Sequence, residues 1–188
     1  MRKILTLALL ATTAIATPAM AQTSASGTVA VTGTVAGRCT ASPAITGTIA
    51  LGELTNAAGK IDSAFPNNTT GLSKSFSVLC TSANASITVS STNLVNSTDA
   101  TTLNGYTGTV HYTSTLTAQK AGGGADASAV YTSADTLPAA TTTLLADRLK
   151  NAANNVTVVV SNGTTTNAGD LLKQGTYGST ITITVAPV

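Results

Sequence analysis

Tryptophan is absent from this chain, phenylalanine occurs twice, tyrosine four times, and histidine once, at His111. Charged residues make up only 9% of the 188 positions, against about 25% in an average soluble domain. That scarcity disfavours a coiled coil or long solvated helices, which are built from Glu, Lys and Arg. It equally disfavours nucleic-acid binding, which needs clustered Lys and Arg to neutralise phosphates. What the chain has in abundance is threonine, 38 residues of it. The β-branch of Thr suits a pleated surface, and its hydroxyl keeps an exposed face soluble. The length suits one domain. Together these features point to threonine-rich β structure outside the cytoplasm, and to a structural or binding protein rather than an enzyme.

Residues 1–21 read MRKILTLALLATTAIATPAMA. Arg2 and Lys3 form a basic start, an apolar stretch runs from Ile4 to about Ile15, Pro18 interrupts it, and Ala19, Met20 and Ala21 form a small-residue cleavage pattern. This is expected to be a secretory signal peptide. The apolar run is shorter than the ~20 residues of a spanning helix. Removing residues 1–21 takes away Arg2 and Lys3 and leaves seven basic against seven acidic side chains, a formal charge of zero. Self-repulsion is then weak, so association is not opposed.

Cys39 and Cys80 are the only thiols. An even count in a secreted chain suggests one disulfide, which would stabilise the fold by about 4 kcal/mol in the chain-entropy model. Two cysteines and one histidine are too few for a closed zinc site, so no metal is expected. A catalytic Cys would need a partner His, and His111 sits in a strand-like segment without other support.

Past residue 21 the sequence alternates. Gly27, Val29, Val31, Gly33 and Val35 are interleaved with Thr and Ala, a period-two strand signal that precedes the first Cys. Further strands are expected at 46–51, 73–80, 86–91, 106–117, 155–161 and 177–185. Asn162-Gly163 reads as a hairpin turn, Gly122, Gly123 and Gly124 as a flexible loop, and residues 143–151 as the one short helix. Many short strands separated by turn signals indicate a β-sandwich or barrel, with no fixed-period repeat.

The seven carboxylates are Glu53, Asp62, Asp99, Asp126, Asp135, Asp147 and Asp170, no two closer than nine residues. No local acid pair or calcium loop is encoded. Ser and Thr are plentiful, but a nucleophile needs a base and an orienting group, and a site built on His111 is disfavoured. No P-loop or dinucleotide fingerprint is present, and no cofactor is expected.

Three features, in this order, resemble a bacterial chaperone–usher pilin subunit of the archaic type, the branch that includes spore coat protein U-like domains. They are the alternating extension 26–37 before Cys39; the pair Cys39 and Cys80, the latter ending FSVLC and followed by Ile87-Thr88-Val89; and the C-terminal GTYGSTITITV, residues 175–185. Family members often carry an acidic residue after the Tyr and end in an aromatic; here Ser179 and Thr180 stand nearby and the last residue is Val188.

The resemblance implies an all-β, immunoglobulin-like sandwich that is incomplete and is completed by a donor strand from another subunit. Residues 1–21 would be the signal peptide, 22–38 the donor extension and 39–188 the domain. Gly27, Val29, Val31, Gly33 and Val35 would enter the partner, and Tyr177, Ile181, Ile183 and Val185 would form the edge of the acceptor groove. The partners would be identical or related subunits in a filament, with a periplasmic chaperone and an outer-membrane usher during assembly. The chain would be secreted through the periplasm to the cell surface, for attachment or biofilm formation. Patterning alone leaves open that residues 26–37 are the first strand of a complete sandwich. The alternative function is a monomeric, secreted or surface-associated β-sandwich binding carbohydrate or matrix.

Overall fold

Alternation of β-branched residues organises the longer strands of the folded unit, Val35–Val188, most clearly Ala85–Ser91, Val156–Thr164 and Ile181–Pro187. The structure, a computed structural model, describes residues 27–188. The signal peptide expected at 1–21 and the start of the extension, 22–26, lie outside the described residues. Residues 27–38 form no strand.

Fourteen strands and no helix are found among the described residues. They are β1 (Cys39–Ala41), β2 (Ser73–Phe76), β3 (Val78–Cys80), β4 (Ala85–Ser91), β5 (Leu94–Asn96), β6 (Thr102–Leu103), β7 (Tyr106–Thr107), β8 (Thr109–Ala118), β9 (Ala127–Thr132), β10 (Thr141–Leu144), β11 (Val156–Thr164), β12 (Leu171–Leu172), β13 (Tyr177–Gly178) and β14 (Ile181–Pro187). The all-β sandwich expected from the sequence is the architecture found. One sheet has the order β10-β4-β14, and a six-stranded sheet is built on β13-β5-β8-β11-β2 with β9 also paired to β8; all of these pairs are antiparallel. Two further sheets are β1-β3, antiparallel, and β12-β7-β6, in which β12 and β7 run parallel.

Period two explains what faces inward. Ala85, Ile87 and Val89 of β4 meet Leu116 of β8, Ala129 and Tyr131 of β9, and Val156 and Val158 of β11 in one buried cluster. A second cluster at the other end gathers Leu54, Phe65, Leu94, Val110, Tyr112 and Val160. Each large aliphatic side chain so buried contributes about 1.5–3 kcal/mol. Cys39 and Cys80 are bonded and stand opposite each other in the β1–β3 ladder.

Several local expectations are corrected, among them the expected strands 106–117 and 177–185, which break at Gly108 into β7 and β8 and at Ser179 and Thr180 into β13 and β14. Residues 143–151 are not helical: Thr141–Leu144 is a strand paired with β4, and Ala146 has a φ of 53°. Three successive threonines are poor helix formers, and the β4 edge offers them a ladder instead. Leu145 and Leu149 are nonetheless buried. Residues 46–51 carry no ladder at all. The expected strand 73–80 is split at Ser77 into β2 and β3.

Asn162-Gly163 is not a hairpin but a bulge within β11, where the register against β8 shifts between Ser161 and Thr164. A Cβ on Gly163 would come 2.5 Å from Phe65 Cζ, so the bulge lets that buried ring lie against the strand. The Asn-Gly hairpin turn of the molecule is Asn104-Gly105, between β6 and β7.

Candidate functional site

A central strand has hydrogen-bonded neighbours on both sides; an edge strand leaves half its N–H and C=O groups free. In this fold β14 pairs with β4 alone, and β2 pairs with β11 alone. Between these two edges the sandwich is open. The opening is a groove of about 900 Å³. One wall is the ladder-free segment 45–52, the other is the run 174–183 leading into β14, and Phe76, Tyr112, Val158 and Val160 form the floor.

The inward side chains report the same opening. Ile181, Ile183 and Val185 of β14 alternate inward but remain half-exposed. Their cross-strand partners Ser91, Val89 and Ile87 on β4 are fully buried. Opposite, Ile45, Ile49 and Leu51 are also only half-buried. On the opposite side, where β10 and β9 are the sheet edges, Thr143 Oγ1 of β10 donates to the Ser128 carbonyl of β9 at 2.9 Å.

The groove wall at 174–180 is held from outside the groove. Asn96, buried at the end of β5, donates through Nδ2 to the carbonyls of Lys173 (3.3 Å) and Gln174 (3.1 Å). Its Oδ1 accepts from the N–H groups of Thr98 and Asp99. A Cβ on Gly175 would come 2.6 Å from this amide, so glycine is required there for close approach. The Tyr177 hydroxyl donates to the Lys173 carbonyl at 2.8 Å. Ser179 donates to the Thr92 carbonyl at 2.7 Å and shares a hydrogen bond with the Tyr112 hydroxyl. The small polar residue after the tyrosine thereby ties this wall to the floor.

Among the expected acceptor residues, Tyr177, Ile181 and Ile183 line the groove, whereas Val185 lies further along β14 against the main core. Sequence reading missed Lys74, Phe76, Tyr112 and the wall 45–52. Only the alternation of 46–51 hinted at that wall. Of the expected donor residues, Val29, Val31 and Val35 are exposed to 90%, 94% and 83%. Nothing lies within 4 Å of a Cβ built on Gly27 or Gly33.

Elsewhere, His111 is 7% exposed on β8. Its Nδ1 meets Asn93 Oδ1 at 3.1 Å, and its Nε2 meets both Asp135 Oδ1 (3.1 Å) and Thr166 Oγ1 (3.2 Å). A nucleophile–base–acid relay puts hydroxyl and carboxylate on different ring nitrogens; here both share one. Lys173 Nζ and the Thr101 hydroxyl and N–H hold the Asp99 carboxyl far below the usual range. No group of three or more potential metal ligands occurs among the described residues. The chain matches no family model, no curated protein and no solved structure.

Proposed function

We propose that this chain is a non-enzymatic structural subunit of an extracellular pilus or fimbria that polymerises by donor-strand complementation. Residues 26–37 of one copy fill the groove of the next. The observation that carries this reading is the open side of the sandwich between β14 and segment 45–52, floored by apolar side chains. Adding an extended segment to a free sheet edge is a general recognition mode, used by pilins among others. The ladder supplies affinity and the alternate side chains supply specificity.

The extension has the matching properties. Its valines recur every second residue, apart from the glycine at 33, and are exposed. It carries no charge between residues 26 and 37, so nothing in it would bury an unpaired ion. Burying Val29, Val31 and Val35 would contribute about 5–9 kcal/mol. The glycines at 27 and 33 would admit close backbone approach where the groove is shallow. Donation from head to tail is heterologous and does not close, so it builds a filament. Before assembly, the same free edge would need a periplasmic chaperone, and an outer-membrane usher would then exchange it for the next subunit.

The test compares residues 22–188 with residues 38–188 by size exclusion. The longer form is expected to yield ladders or polymers and the shorter one single subunits. A synthetic peptide of residues 26–37 should bind the shorter form and raise its melting temperature. At a hundredfold excess over Kd the stabilisation is about 2.7 kcal/mol. If both forms stay single and the peptide has no effect, the alternative of a monomeric carbohydrate- or matrix-binding sandwich takes its place.

A further inference from the structure

The dipeptide Asn-Gly occurs twice in the chain, at Asn104-Gly105 and Asn162-Gly163, and the fold gives the two copies opposite surroundings. Asn104 and Gly105 are the two central residues of the β6–β7 turn, both exposed, with φ values of 53° and 80°. Nothing lies within 4 Å of a Cβ built on Gly105. Its N–H has no acceptor among the described residues. The turn joins β6 and β7, of two residues each, and β7 pairs in parallel with the two-residue β12, whose Leu171 N–H donates to the Gly105 carbonyl at 2.8 Å. That bond leaves the Gly105 nitrogen free, and ladders this short open more readily than a long central strand.

Asn162 and Gly163 lie inside β11, whose flanking residues Ser161 and Thr164 pair with β8. Gly163 is buried, its N–H donates to the Ser63 carbonyl at 3.0 Å, and the Phe65 ring lies against it. Freeing that nitrogen means opening a central strand, which approaches the cost of global unfolding.

We infer that Asn104 is a site of spontaneous covalent modification, deamidation through a succinimide, and that Asn162 is protected from it. The Gly105 backbone nitrogen, after losing its proton to solvent hydroxide, attacks Asn104 Cγ. The new N–C bond closes a five-membered ring, the bond from Cγ to the side-chain nitrogen breaks, and that nitrogen leaves as ammonia after taking a proton from water. Water then opens the ring. Cleavage at Cγ leaves an ordinary aspartyl residue, and cleavage at the backbone carbonyl leaves an isoaspartyl linkage. The net change is one water consumed and one ammonia released, with no oxidant or cofactor. A following glycine favours the attack because no side chain shields its nitrogen.

The consequences are local and measurable. Each event adds one negative charge, which moves a chain of formally balanced charge (after loss of residues 1–21) to a more acidic isoelectric position. The isoaspartyl product also adds a carbon to a turn with no slack. It would part Leu103 from Tyr106, which face each other across the turn and are both exposed. The inference stands whether or not the chain polymerises.

The native protein is aged in mildly alkaline buffer and digested, and the amide-to-acid conversion at each asparagine is followed by mass spectrometry, with isoaspartate-specific methylation as a second readout. The same incubation in denaturant with the disulfide reduced gives the unprotected rates. In the native chain Asn104 is expected to convert more than about tenfold faster than Asn162, because only the latter waits on opening of a core strand. In denaturant the two rates should converge. Equal native rates, a faster Asn162, or an intact Asn104 after the denatured chain has converted would each overturn the inference.

Discussion

Asn155 shows how one side chain can stand in for a stretch of ladder. It is 1% exposed. Its Oδ1 accepts from the Val78 N–H at 2.9 Å, and its Nδ2 donates to the carbonyls of Val78 (2.7 Å) and Lys150 (2.6 Å). The amide therefore joins β3 to the start of β11, two residues from Cys80. Asn155→Ala takes this partner from the buried N–H and carbonyl of Val78, and a loss of about 3 kcal/mol is expected in urea unfolding. A change within about 0.5 kcal/mol, the usual range for surface substitutions, would contradict this role. From the sequence, Asn155 was visible only as the first residue of an expected strand. Its partners are separated from it by up to 77 positions, and no local pattern encodes them.

Among the elements, β4 and β14 make an instructive pair. They share one ladder of seven partnered positions and the same inward alternation, yet β4 is sealed and β14 is not. The difference lies in their surroundings: β4 is central in its sheet, paired with both β10 and β14, and its inward side chains pack on β8, β9 and β11, whereas β14 is an edge strand bordered by the groove. Segment 45–52 faces the same opening, which accounts for a region of strand-like sequence that has no ladder. On the proposed reading, a charge placed in the extension should block assembly while sparing the fold. Val31→Asp is expected to abolish polymers in size exclusion. Because Val31 is almost wholly exposed, the melting temperature of the subunit should stay unchanged. Undiminished polymerisation by this variant would count against the valines as the inserted face.

At the scale of the whole molecule, scarcity of charge limits how pH acts on stability. Glu53 is held below its ordinary range by the hydroxyl and N–H of Thr55, Asp147 by the N–H groups of Gly122 and Arg148, and Asp99 by Lys173 and Thr101. A carboxyl whose folded pKa is depressed adds stability above its unfolded pKa and loses it as pH falls through the folded value. The melting temperature is therefore expected to hold steady from neutral pH down to about pH 4, the ordinary carboxyl range, and to decline below it. Melts at stepped pH and constant ionic strength check this, and a rise on acidification would refute it. Glu53 and Asp99 are solvent-exposed and Asp147 is partly so, so salt should weaken the effect.

The sequence by itself determined the class of structure. Threonine abundance, period-two alternation and frequent turn residues are local properties, and they suffice for an all-β chain of short strands. An even cysteine count and the expectation of secretion likewise led to the Cys39–Cys80 bond that the fold contains. Only the tertiary structure decided which strands became central and which were left at an edge, that Thr141–Leu144 joined β4 instead of coiling, and that one Asn-Gly pair turned while the other bulged. The physical reason is that strand pairing and burial join residues tens of positions apart, so the free edge at β14 follows from what the rest of the chain leaves unpaired and from no residue within β14.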